Sequence, residues 1–159
     1  MPDKLKKQKS KFVVLDKVRG DKVIVLSKKH FKTILDHSLS ELPNEACGLV
    51  AGTIEGDKKI IQKVYLLTNI DKSPEHFSMD PKEQFDAVRD MRKNNFVLIG
   101  NFHSHPQTPP RPSEEDKRLA YDKSMSYMIL SLTDRRRPLL KSFQIIDGKV
   151  IEEEIEEVE

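Results

Sequence analysis

His103 and His105 stand one residue apart at the end of an apolar run, in the stretch Asn101-Phe102-His103-Ser104-His105-Pro106. Side chains alternate faces along a strand, so the two imidazoles project from the same side and can converge on one metal ion. The connection that follows, Gln107-Thr108-Pro109-Pro110-Arg111-Pro112, is rich in proline and stiff, so ordering it costs little entropy. Beyond it, Ser113-Glu114-Glu115-Asp116 opens a helix, with Asp116 placed to swing back as a third ligand. Two histidines and one aspartate leave the fourth tetrahedral position for water, the arrangement of a catalytic rather than a structural zinc site. Each part also has a plainer explanation. Paired strand histidines are often hydrogen-bonded core or rim residues, and Ser113 with Asp116 forms the S-x-x-D pattern of a helix cap. The plainer readings do not account for the combination, in which a rigid loop joins a same-face histidine pair to a carboxylate at one defined separation.

The elements that must hold these residues are legible as alternating signals. Residues 11–18 and 22–26 are β-branched runs split by Arg19-Gly20-Asp21, which predicts a hairpin. Ser27 reads as an N-cap, and Phe31, Ile34 and Leu35 repeat at helical spacing toward Leu39 and Leu42, where Pro43 stops the helix. Residues 48–54 and 58–67 predict two strands around Glu55-Gly56-Asp57. Pro81 suits the first position of a helix running to about Asn94, followed by a strand over 96–105 and a short helix over 114–121. Strands are predicted at 125–132, 139–146 and 149–154, the last two joined by Asp147-Gly148, a strong hairpin signal. The sum is an α/β (α+β) layer fold, a mixed β-sheet flanked by about three helices.

A chain of 159 residues that is 36% hydrophobic and 34% charged is long and apolar enough for one domain with a real core, which excludes a disordered chain. A net charge of +2 gives no general attraction to nucleic acid. No apolar run reaches the length of a membrane span, and the start lacks the apolar stretch of a signal peptide, so no membrane partner is expected. The single cysteine, Cys47, forbids an internal disulfide and fits a reducing, cytoplasmic setting. It reads as a small buried residue beside Gly48. The expected organisation is a basic extension over residues 1–20, partly strand or flexible, then one domain over 21–150, then a solvated acidic tail over 151–159.

Glu45-Ala46-Cys47-Gly48, then His103-Ser104-His105-Pro106, Ser113 and Asp116, together resemble the signature of the JAMM (JAB1/MPN/Mov34) metallopeptidase family: an upstream Glu followed by H-x-H-P-x6-S-x-x-D. Every position matches. The similarity covers about residues 23–150, including Pro43-Asn44-Glu45 and Phe77-Ser78-Met79-Asp80-Pro81, and is closest in kind to the stand-alone prokaryotic members. The resemblance implies a cytidine-deaminase-like sheet with helices on its faces and one catalytic Zn2+ per chain, held by His103, His105 and Asp116. It implies that Glu45 is the general base that takes the proton of the zinc-bound water and returns it to the leaving amine. It implies that Ser113 donates a hydrogen bond to the tetrahedral oxyanion. Ser104, between the histidines, points the other way and is expected to pack or hydrogen-bond behind the site.

The substrate implied by the resemblance is a ubiquitin-like or sulfur-carrier protein, cut at an amide bond of its C-terminal Gly-Gly tail. The segment that begins at Thr68 and ends at Met79 either borders the groove for that tail or is an ordinary surface connection. His30, His37 and His76 read as surface or capping residues. Two other classes remain: a non-catalytic MPN-type interaction scaffold, and a metal-dependent hydrolase of a small-molecule amide or nucleotide.

Overall fold

A computed structural model describes residues 19–159 and contains, in order, β1 (Arg19–Ser27), α1 (Lys28–Ser40), β2 (Cys47–Glu55), β3 (Lys58–Leu67), α2 (Pro81–Lys93), β4 (Val97–His105), α3 (Glu114–Arg118), β5 (Ser126–Ser131), β6 (Leu139–Ile146) and β7 (Lys149–Val158). The expected mixed sheet with three helices is present, and it closes on itself as a barrel in the order β1-β3-β2-β4-β5-β6-β7. β1 runs parallel to both of its neighbours, β3 and β7, and β4 runs parallel to β5; the remaining neighbours are antiparallel.

Local chemistry sets the element ends. The Ser27 hydroxyl accepts the His30 N–H at 3.0 Å and opens α1. Asp80 accepts from the Lys82 N–H at 2.9 Å, with Pro81 in the first helical position of α2. Asp147 (φ 51°) and Gly148 (φ 82°) supply the two consecutive positive φ values that a tight β6–β7 hairpin requires.

The two faces of β2 and β4 do different work. Val50 of β2 and Phe102 of β4 join Met128, Leu130 and Ile34 of α1 in the main core. On the opposite face Cys47, Leu49 and Ala51 pack against Ala87 and Met91 of α2. Strand alternation thus buries Phe102 in the core and turns its neighbour His103 to the other side, where it lies opposite Cys47. Close packing forces glycine at position 48, since a Cβ there would lie 2.3 Å from both the Phe102 ring and the Tyr65 carbonyl oxygen.

Three expectations need correction. Arg19-Gly20-Asp21 is not a turn: those residues lie within β1, because β7 offers a parallel partner from Arg19 onward, and a register shift between Arg19 and Val23 absorbs the irregularity. The predicted strand over 11–18 and the rest of the basic extension through residue 18 lie outside the described residues. The acidic end is not a solvated tail: β7 continues through residues 151–158, paired with β1, and completes the barrel. Lastly, α3 stops at Arg118 rather than Tyr121.

One buried ion pair explains how so acidic a strand is held. Lys59 Nζ of β3 lies 3.0 Å from Glu153 Oε2 of β7, with the two side chains 4% and 0% exposed. Ser126 and Ser142 bond the same carboxylate at 3.1 and 2.7 Å, so its oxygens are satisfied from β5 and β6. Removing one partner of such a pair leaves an uncompensated charge in the interior. Glu153→Ala is therefore expected to lower the unfolding free energy by about 3–5 kcal/mol. Lys59→Met combined with Glu153→Leu should recover most of the loss, and chemical denaturation of the three proteins checks both.

Candidate metal centre

β4 delivers His103 and His105 to one face as the spacing requires, and both are buried at 2% and 4% exposure. Their Nε2 atoms are 3.1 Å apart. Asp116 returns from the first turn of α3 and places Oδ2 3.2 Å from His103 Nε2 and 3.3 Å from His105 Nε2. Among the described residues these three form the group of side chains able to hold a metal ion. Tetrahedral bonds of ~2.05 Å from zinc to nitrogen or oxygen put neighbouring ligand atoms ~3.3 Å apart, so the triangle has the right size for that ion.

The same surroundings set the tautomer of His105 and pull the two imidazole pKa values in opposite directions. His105 Nδ1 lies 2.9 Å from the Pro109 carbonyl oxygen, an acceptor that fixes the proton on Nδ1 and leaves Nε2 free as a ligand. The same contact shows what the stiff proline loop is for: it curls back to orient the second histidine. Burial lowers the His103 pKa against the pull of Asp116, which favours the neutral ring that a metal needs. For His105, burial works against the charged form, but the hydrogen bonds to Asp116 and Pro109 prevail and raise its pKa. Burial likewise opposes the charge on Asp116, yet the two imidazoles and the Ser113 N–H hold its carboxyl well below the usual carboxylate range.

Ser113 and Asp116 form a complete capping box. The Asp116 N–H donates to Ser113 Oγ at 3.0 Å and the Ser113 N–H donates to Asp116 Oδ2 at 2.9 Å. Oδ2 is the same oxygen that faces both histidines, so the cap aims the carboxylate into the cluster.

Glu45 lies just before β2 and is 4% exposed. Burial, reinforced by Asp116, Glu115 and Glu75 and opposed by His105, pushes its carboxyl pKa up to about 8. Its Oε1 is buried without a hydrogen-bond partner, a condition folded proteins seldom leave unanswered away from a functional site. The backbone around it is clamped on three sides. The Glu45 N–H donates to the Ser73 carbonyl at 2.8 Å, its own carbonyl accepts from Asn69 Nδ2 at 3.0 Å, and the next N–H, of Ala46, donates to Ser104 Oγ at 2.8 Å. Ser104 thus does point behind the site, and there it ties β4 to the strand entry that carries Glu45.

The segment from Thr68 to Met79 packs on this cluster. Phe77 stacks on the His103 ring with centroids 4.6 Å apart. The buried Asn69 is its hub: besides the Glu45 carbonyl, Nδ2 donates to the His76 carbonyl, and Oδ1 accepts from the Asp71 and Ser78 N–H groups. Asn69 was invisible as an individual residue because a loop has no periodicity, and Phe77 was named only within the stretch Phe77-Ser78-Met79-Asp80-Pro81 that carries the resemblance, without a role. His37 is half-buried and not merely a surface group, since its Nε2 lies 3.2 Å from the Cys47 and Leu67 carbonyl oxygens. Cys47 is buried and unpaired, as expected, and its sulfur approaches the Leu67 carbonyl rather than the three ligands.

The family described as prokaryotic homologs of the JAB domain matches residues 27–145. The chain belongs to that family. It is 32% identical over 137 residues to the CysO-cysteine peptidase of Mycobacterium tuberculosis, covering 86% of this chain and 92% of that protein. A desampylase of Pyrococcus furiosus is 37% identical over 67 residues, 42% of this chain and 48% of that one. Among solved structures, the solution structure of a Desulfitobacterium hafniense protein is 57% identical, with a TM-score of 0.80 over 86% of this chain and 93% of that one. A crystal structure of a JAB1/MPN domain protein from Archaeoglobus fulgidus shares the fold at a TM-score of 0.54 and 23% identity, over 86% of this chain and all of that one.

Glu45 has a measurable consequence in the metal-free protein. Its folded pKa is raised from 4.5 to about 8, so between those values the folded chain holds a proton that the unfolded chain has released. Stability then falls as pH rises through that window. Thermal unfolding of metal-free protein is expected to show this loss, and Glu45→Gln, which does not titrate, should flatten that part of the curve.

Proposed function

We propose that this protein is a zinc-dependent peptidase or isopeptidase that hydrolyses an amide bond at the C-terminal Gly-Gly tail of a ubiquitin-like or sulfur-carrier protein. The observation that carries the proposal is the His103–His105–Asp116 triangle beside a buried glutamate with an unpartnered oxygen. Membership of the JAB family, with relatives named as a CysO-cysteine peptidase, a desampylase and, in Thermus thermophilus, a probable TtuB-protein conjugate cleaving protease, supports the substrate class. A chain that keeps all three ligands and the glutamate is better suited to hydrolysis than to a purely scaffolding role.

When bound, zinc supplies Lewis acidity toward the scissile carbonyl and makes water acidic enough to attack near neutral pH. Glu45 takes the proton from the attacking water. A carboxyl with a pKa raised by burial binds that proton readily and can hand it to the departing amine, whereas one at its ordinary value would hold it too weakly. Glu45, which faces the charges of His105 and Asp116, would be ionised before the reaction with a cation held by those ligands, against the effect of burial. Ser113 Oγ accepts the Asp116 N–H and keeps its own proton, which it offers to the oxyanion. Phe77, stacked on His103, makes the segment from Thr68 to Met79 one wall of the approach taken by the tail. The buried, unpaired Cys47 suits a reducing cytoplasm. Among the described residues no helix is long and apolar enough to cross a membrane.

Elemental analysis and cleavage assays on synthetic Gly-Gly conjugates test the assignment together. Glu45→Gln should retain zinc and lose cleavage by about 10²–10⁴-fold. Asp116→Ala should lose zinc, and Ser113→Ala should slow turnover by about 10²–10³-fold with zinc retained. A Glu45→Gln protein that stays fully active, or that loses its zinc, overturns Glu45 as the base. Full zinc occupancy in Asp116→Ala reduces Asp116 to a helix cap.

Asn69 holds the backbone of the proposed base. Asn69→Ala removes the donor to the Glu45 carbonyl and loosens the Phe77 segment, so kcat should fall by about 10²-fold with zinc content unchanged. Steady-state kinetics on metal-quantified protein reads it.

A further inference from the structure

The Pro109 carbonyl oxygen that lies 2.9 Å from His105 Nδ1 belongs to a loop that is hard to anchor. Pro106, Pro109, Pro110 and Pro112 have no N–H, so this stretch is tied down mainly through its carbonyl groups. The prolines hold the loop's own shape, since each fixes its φ and restricts the residue before it. They do not fix where that stiff piece sits over β4. Donors from elsewhere in the fold have to do so.

Two hydroxyls at the end of β5 supply them. Ser131 is in register with His105 on the neighbouring strand, so its side chain stands on the same face of the sheet. It is buried, and its Oγ donates to the Thr108 carbonyl at 2.7 Å. Thr133 Oγ1 lies 3.1 Å from the same carbonyl oxygen and 2.9 Å from Ser131 Oγ. The Thr133 N–H donates back to Ser131 Oγ at 3.3 Å, which leaves the serine proton for Thr108. The Leu132 N–H donates to the His105 carbonyl at 3.0 Å and locks the two strands together at this level. Beyond Thr108, the Pro109 oxygen also accepts the Arg111 N–H at 2.9 Å, so it is held between that N–H and the imidazole.

We infer that Ser131 and Thr133 are positioning residues of the metal centre: by holding the Thr108 carbonyl they place the Pro109 oxygen against His105 Nδ1 and keep the ring proton there, which leaves Nε2 bare for the ion. The inference rests on the proposed metal site and deepens it with two residues that contribute no ligand atom. The hold matters because each tautomer of His105 has an acceptor. A proton on Nδ1 goes to Pro109, whereas a proton on Nε2 would go to Asp116 Oδ2, 3.3 Å away, and occupy the nitrogen that a metal needs. Releasing the loop removes the first acceptor and leaves the second, so the wrong tautomer gains.

The double variant Ser131→Ala/Thr133→Val removes both hydroxyls and leaves every ligand in place. Two readouts on it need no substrate. Zinc affinity, measured by competition with a chromophoric chelator, should fall about 10-fold, as when other groups that orient a ligating histidine are lost. The ring 15N shifts of neutral His105 in metal-free protein should show a smaller share of the Nδ1–H tautomer than in the unmodified protein. Each single variant should fall between, because the remaining hydroxyl still reaches the Thr108 carbonyl. A double variant that loses thermal stability but keeps both the zinc affinity and the tautomer share makes the hydroxyls plain ties between loop and strand, and overturns the inference. Should the double variant fail to fold, Thr133→Val at the exposed position is read alone, and unchanged affinity and tautomer share there overturn it. If the unmodified protein binds no zinc, the metal site fails on its own account. The tautomer share then decides alone: a fall in the double variant supports the hold on His105, and no change removes it.

Discussion

Everything at the site depends on one oxygen atom. Asp116 Oδ2 accepts the Ser113 N–H at 2.9 Å and stands 3.2 and 3.3 Å from the two imidazole nitrogens. A free aspartate at the start of a five-residue helix would sample several rotamers and offer a poor third ligand. The capping box removes that freedom, and the stiff loop from Gln107 to Pro112 sets where the box is built. Helix capping and the proposed metal ligation, which look like competing explanations of Ser113 and Asp116, are compatible in one arrangement. The cap holds the carboxylate rotamer that the histidines need.

The histidine side is fixed with the same economy. Strand alternation puts His103 and His105 on one face, and Phe102 and Ser104 anchor the other. Phe102 is committed to the main core, and Ser104 holds the N–H of Ala46. A rotation of β4 that misaligned the imidazoles would therefore have to break the core and detach the residue next to Glu45. The histidine pair and Glu45 cannot drift apart independently, because the same strand carries one and restrains the other.

What was legible in the chain follows from range. The His-x-His spacing, the S-x-x-D box, the Ser27 cap and the Asp147-Gly148 turn are local, and each appears where its residues place it. Two signals were local in form but decided at long range. Arg19-Gly20-Asp21 has turn chemistry, yet the parallel partner β7, more than a hundred residues away, draws it into a strand. Residues 151–159 look like a charged tail because Glu153 interrupts the alternation of Ile151 and Ile155. The lysine that neutralises it lies on β3, and nothing near Glu153 in the chain announces it. The same holds for Asn69, whose four hydrogen bonds join a loop, a turn and the backbone of Glu45, a pattern that exists only once the segment from Thr68 to Met79 has closed on itself.

The two carboxylates of the site are driven in opposite directions by the same enclosure. Asp116 is half-buried and bonded by two imidazoles and a backbone N–H, so it stays ionised throughout the range in which proteins work. Glu45 is buried without such partners and among other acids, so its proton becomes hard to lose. Pairs of titratable groups pushed apart in this way divide labour: the one that keeps its charge can hold a cation, and the one whose affinity for a proton lies near neutrality can carry one. The division does not come from the residue types, which are nearly equivalent chemically. It comes from Ser113 and the histidines bonding to one carboxylate and leaving an oxygen of the other bare.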